Sequence, residues 1–127
     1  MFNKIDATVL FVKNLDNCTA FYRDVLGLEV TFSDDVSIGF RVEGQDFLLL
    51  KFSSAVEMIG EEAISSNDGG ACRVLLCAGV ENVDAVHAAL EAKGVAFIRP
   101  PINQPWGRRT AYFADPEGNL WEIFQNL

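Results

Sequence analysis

The feature that most constrains this chain is an internal repeat. Val12-Lys13-Asn14-Leu15-Asp16 lines up with Val80-Glu81-Asn82-Val83-Asp84 at an offset of 68. Glu43-Gly44-Gln45-Asp46-Phe47-Leu48 lines up with Glu117-Gly118-Asn119-Leu120-Trp121-Glu122 at an offset of 74. Two matches in consistent order, each at the corresponding place in its half, point to a duplicated supersecondary module.

Apolar patterning fills in each half. Ala7–Val12 reads as a buried strand, with Asn14 or Asp16 capping a helix behind it. In that helix Cys18, Phe21, Tyr22 and Val25 follow the spacing of one buried face, and Gly27 ends it. Strands are predicted at 29–33, 36–42 and 47–52, with Asp34-Asp35 making a turn. The order then recurs: a strand over 73–80, a helix over 83–93 closed by Gly94, and strands at 95–98, 110–114 and 120–124. Both halves read β-α-β-β-β. Residues 53–72 between them carry Ser, Asn, Asp and Gly linker chemistry. A short helix is predicted at 55–64 with Val56, Ile59 and Ala63 on one side. The division is module one at 1–52, a linker at 53–72 and module two at 73–127.

Composition narrows the function classes. At 127 residues with half of them hydrophobic, the chain builds one domain-sized core. Ten basic against eighteen acidic residues leave no basic face for nucleic acid. The acidic balance serves solubility or draws in cationic ligands. No apolar run approaches the roughly 20 residues of a membrane span, and the first residues lack a signal-peptide pattern. Cys18, Cys72 and Cys77 form no CxxC pair, which suits a reduced, cytoplasmic protein. One histidine, His87, cannot build a histidine-rich metal centre.

Two stretches carry a family resemblance. Cys18-Thr19-Ala20-Phe21-Tyr22-Arg23-Asp24-Val25-Leu26-Gly27-Leu28 resembles the first-helix signature of the vicinal oxygen chelate superfamily. Gln104-Pro105-Trp106-Gly107 together with Asp115-Pro116-Glu117-Gly118-Asn119-Leu120-Trp121-Glu122 resembles its closing hairpin. That superfamily holds glyoxalases, extradiol dioxygenases and bleomycin resistance proteins. The resemblance implies an α+β fold of two tandem βαβββ modules, forming a curved mixed sheet around a cleft. It also implies a homodimer.

The resemblance further implies four metal seats, one on the first and one on the last strand of each module. Glu122 matches the last seat, and the 74-residue offset puts its partner at Leu48. Counting back from the Val-x-Asn turns puts the other two at Ala7 and Leu75. Alanine and leucine offer a metal no lone pair. A slip of one or two residues adds only Asp46 or Lys51 near Leu48, Asp6 near Ala7 and Arg73 near Leu75. No metal or other cofactor is therefore expected. Glu122 is either a quiet inherited residue or the charged anchor of a ligand. As a general base it has no evident partner acid.

Strand alternation from the seats predicts an apolar, aromatic cleft lining. It comprises Phe11, Phe40, Leu48, Leu50, Phe52, Leu75 and Tyr112, with Val9, Ile38, Cys77, Gly79 and Phe124 beside them. Trp106 either covers the cleft mouth or packs at a dimer contact. Of Arg108 and Arg109, alternation with Tyr112 turns Arg108 inward. Cys77 reads as a small hydrophobe, and His87 as a helix-flank residue. The expected function is sequestration of a small aromatic molecule, cationic ones included, by a non-metal protein of the bleomycin-resistance-like kind. The alternative is a glyoxalase-related isomerase or lyase, or another enzyme using Glu122. A third reading is an interaction module with a collapsed cleft.

Overall fold

The computed structural model describes residues 1–65 and 73–127. Cys72 and the last part of the stretch expected as linker, residues 66–72, lie outside the described residues. The chain divides into two compact units, Met1–Ala71 and Cys72–Leu127.

In the first unit, strands β1 (Ala7–Val12), β2 (Val30–Ser33), β3 (Ser37–Val42) and β4 (Gln45–Lys51) form a sheet of order β1-β4-β3-β2. The first strand runs parallel to β4 and the rest are antiparallel. Leu10, Val12, Phe47 and Leu49 point to one face and are buried. They pack under helix α1 (Leu15–Ala20) and the turn that follows it. Asn14 caps that helix by accepting the Asn17 N–H at 2.9 Å. Beyond Ala20 the helix widens into a π turn, Phe21–Val25, in which the Leu26 N–H reaches back to the Phe21 carbonyl. Cys18 and Tyr22 are fully buried, while Phe21 and Val25 stay part-exposed. The π turn breaks the 3.6-residue spacing that placed all four on one face.

Helix α2 (Phe52–Ile59) follows β4 directly, then α3 (Glu61–Ser65). Phe52, expected as the last residue of a strand, is instead the first of α2, with the Lys13 ammonium 5.5 Å above its ring. The buried residues of these helices are Ala55 and Ile64, not Ile59 or Ala63. Gly60, at φ +114°, interrupts the helix and shifts its phase.

The second unit repeats the plan. Strands β5 (Leu75–Gly79), β6 (Phe97–Asn103), β7 (Arg108–Ala114) and β8 (Leu120–Asn126) form a sheet of order β5-β8-β7-β6. Helix α4 (Val83–Ala92) is capped by Asn82 just as α1 is by Asn14. Phe113, Trp121 and Ile123 face α4, and Phe113 stacks on Trp121 at 6.3 Å. Strand β6 runs through Pro100 and Pro101, past the expected end at 98. It lies at the sheet edge, where two missing N–H donors are tolerated.

The two closing hairpins differ by one residue. Val42 pairs with Gln45 around a two-residue loop, Glu43-Gly44. The Asp115 N–H bonds the Asn119 carbonyl around a three-residue loop, Pro116-Glu117-Gly118. The Asp115 carboxylate organises this loop. It accepts the Glu117 and Asn119 N–H groups at 2.9 Å and the Asn119 amide at 2.8 Å, and its side chain is buried. Asp115→Ala is expected to cost about 1–3 kcal/mol, read from urea unfolding. A loss under about 0.5 kcal/mol would show that the loop closes without the carboxylate.

Candidate functional site

The extra hairpin residue decides which side chains share a face. In module two Tyr112 pairs with Glu122, Thr110 with Phe124 and Arg108 with Asn126. On the other side of β8, Cys77 pairs with Glu122 and Gly79 with Phe124. Arg108, Tyr112, Cys77, Glu122 and Phe124 therefore occupy one face, opposite α4. In module one Gly39, not Ile38 or Phe40, pairs with Leu48. Ile38 and Phe40 turn to the helix side, where Phe40 lies 5.8 Å from Tyr22. The expected ligand-facing role of Phe40 is corrected on that ground. Phe52 leaves the list because it is helical. Phe11 and Val9 on β1 stay on the face of Leu48 and Leu50.

Glu122 is the centre of the module-two face. It is 7% exposed, and its Oε1 accepts the Tyr112 hydroxyl at 2.7 Å. Cys77 is the residue paired with Glu122 across β5 and β8, so its thiol lies on the same face as the carboxylate. No cation pairs with it among the described residues. Arg108 lies instead over the Phe124 ring, 4.1 Å from its centroid. That ring in turn packs on Gly79, where a Cβ would meet it at 3.3 Å. Arg109 faces the other way and holds Asp84 through two bonds of 2.9 Å. Leu75 sits on the same strand as Cys77, two residues earlier, and is exposed. Trp106 lies in the loop before β7 and is 64% exposed. His87 packs edge-on against Phe97 at 4.4 Å, away from this face.

Loss of solvent around the sulfur and then the Glu122 carboxylate push the Cys77 thiol up. Partial burial and Glu122 also push up the Tyr112 phenol. Both groups keep their protons longer in the folded chain than in the unfolded one. The stability they lend is full below about pH 8.5 and is lost as pH rises beyond it. Iodoacetamide is expected to alkylate Cys77 more slowly than an unhindered thiol at pH 8, and Glu122→Gln to speed the reaction. Equal rates in the two proteins, read by mass spectrometry, would show that Glu122 does not act on the thiol.

The donor set does not fit a divalent metal at the family seats. Module one offers Ala7 and Leu48 there, and module two offers Leu75 and Glu122. Among the described residues no three His, Cys, Asp or Glu side chains cluster as ligands.

The model of the glyoxalase/bleomycin resistance protein/dioxygenase superfamily matches residues 4–123. The chain belongs to this superfamily. It is 31% identical over 121 residues to the uncharacterized protein YraH of Bacillus subtilis (strain 168), covering 93% of this chain and 94% of that protein. A superfamily member from Nocardioides superposes with a TM-score of 0.87 at 25% identity, over 100% of this chain and 85% of that one. A lactoylglutathione lyase from Agrobacterium tumefaciens superposes with a TM-score of 0.73 at 26% identity, over 96% and 92%.

Sequence reasoning put Glu122, Tyr112, Cys77 and Arg108 on one face but missed the Tyr112–Glu122 hydrogen bond and placed Phe40 on the corresponding face of module one in place of Gly39. The signal for Gly39 was the hairpin length, since Asp115 to Asn119 is one residue longer than its counterpart.

Proposed function

We propose that this chain is a non-metal small-molecule binding protein that sequesters an aromatic ligand, with Glu122 as the anchor for a basic group. The observation that carries the reading is the state of Glu122: a buried carboxylate, bonded to Tyr112, with no cation among the described residues. Such a group is costly to bury alone and is satisfied by an incoming donor. On the same module-two face, Leu75 and Phe124 supply the apolar part. The protein is read as a cytoplasmic homodimer, which light scattering on the purified chain tests. Among the described residues no helix is long and apolar enough to cross a membrane.

Calorimetry against a panel of basic aromatic antibiotics and their uncharged analogues tests the function. Saturable binding of basic members supports it, and failure of the whole panel overturns it.

The similarity to a lactoylglutathione lyase favours a second reading, an isomerase or lyase in which Glu122 moves a proton. Stoichiometric nickel or zinc in protein purified without chelator, with hemithioacetal turnover lost in Glu122→Gln, would establish that reading instead.

A further inference from the structure

We infer that the helix side of module one carries a second small-molecule site, built for a guanidinium compound that also bears a carboxylate. The site is separate from the Glu122 face and is tested independently of the reading above.

The inference starts from the repeat. Module two fills the matching place with its own side chains. Asp84, in the first turn of α4, holds Arg109 at the start of β7 through two bonds of 2.9 Å. His87 packs on Phe97 at 4.4 Å and lies 3.5 Å from Glu91. Gln125 accepts the Val83 N–H at 2.6 Å.

Module one has different residues at these places. The helix offset of 68 sets Asp16 against Asp84 and Thr19 against His87. Gly39 pairs with Leu48 as Tyr112 pairs with Glu122, so Val36 takes the place of Arg109 and Lys51 that of Gln125. The Val36 carbonyl accepts the Lys51 N–H at 2.8 Å, in keeping with that match. Valine gives Asp16 no guanidinium. Arg23 does not replace it, because Asp24 holds Arg23 at 2.8 and 3.0 Å.

What remains is a cavity of about 630 Å³, lined by Asp16, Thr19, Arg23, Asp35, Ile38 and Lys51 among others. Its size is that of a small-molecule site. Asp16, Asp35 and Lys51 make no ion pair among the described residues. Thr19 is 8% exposed, and its hydroxyl makes no hydrogen bond among the described residues. A polar group so buried calls for a partner, and here it comes from outside the chain. A guanidinium forks onto a carboxylate, as Arg109 does on Asp84. Asp16 and Asp35 offer that acceptor, and Lys51 offers the cation for an acid at the other end. Buried Ile38 gives the methylene stem an apolar contact.

The probe is L-arginine, followed by amide NMR shifts on the intact chain, with citrulline as its uncharged isostere. Arginine is expected to move the Asp16, Thr19, Asp35 and Lys51 signals saturably, with a Kd below about 10 mM. Citrulline is expected to bind at least about tenfold more weakly. Asp16→Asn and Lys51→Met are each expected to weaken arginine about tenfold. Val36→Arg, at a position 38% exposed, rebuilds the arrangement of module two and is expected to abolish binding. Equal binding of citrulline would overturn the guanidinium, and an unchanged Kd in Lys51→Met would overturn the carboxylate. Undiminished binding by Asp16→Asn or Val36→Arg would overturn the placement. Shifts that never saturate, or that gather at Tyr112 and Glu122, would overturn the site, whereas the antibiotic panel judges the Glu122 reading separately.

Discussion

Tyr22→Ala is expected to destabilise the protein by about 3–5 kcal/mol, the range for truncating a large buried ring. Tyr22 is fully buried in the π turn and makes ring contacts on three sides. Phe21 meets it edge-on at 5.3 Å, Phe47 at 5.3 Å and Phe40 at 5.8 Å. Phe40 and Phe47 are themselves paired across β3 and β4, so the ring bridges helix and sheet. Removing it opens a cavity where the π turn packs on the sheet of module one through aromatic rings. A domain stable by about 5–15 kcal/mol loses a large part of its margin. Urea unfolding followed by tryptophan fluorescence and circular dichroism reads the effect. Tyr22→Phe separates ring from hydroxyl and is expected to keep most of the stability. A loss below about 1 kcal/mol for the alanine variant would mean that the site collapses to fill the hole.

The order of elements was legible because local signals agreed. Ala7–Val12 is a strand in sequence and in structure, and the Asn14 and Asn82 caps start helices at matching points. The superfamily and its α+β plan followed from two motifs of that same kind. What failed was register. The offset of 74 holds for β4 and β8, but one extra hairpin residue makes it 73 for β3 and β7, so Gly39 matches Tyr112. A shift of one residue reverses every side chain on a strand. Phe40 was lost from the open face in this way, and with it the chance of seeing Gly39. The bulge at Thr31 and the π turn at Phe21 are likewise single-residue insertions into regular spacing. Composition and periodicity report averages over a turn or more, so they pass over such insertions. In this chain the extra hairpin residue decides which side chains share the face of the candidate site.

Glu122→Gln is expected to move stability and binding in opposite directions. Glutamine fills the same volume, and its amide oxygen still accepts the Tyr112 hydroxyl now held at 2.7 Å. What it removes is a buried charge with no cationic partner among the described residues. Relief of that burial is expected to stabilise the unliganded fold, by about 1 kcal/mol. For a basic aromatic ligand the same change deletes the opposite charge, costing about 2–5 kcal/mol, or at least about thirtyfold in Kd. An uncharged analogue of the ligand keeps its apolar contacts and is expected to lose little. A structural role for Glu122 makes the contrary forecast, because the glutamine protein would then be less stable and bind charged and uncharged ligands alike. Thermal unfolding without ligand and calorimetry with the matched pair distinguish the two. The trade is typical of binding residues, which are kept at some expense to the fold.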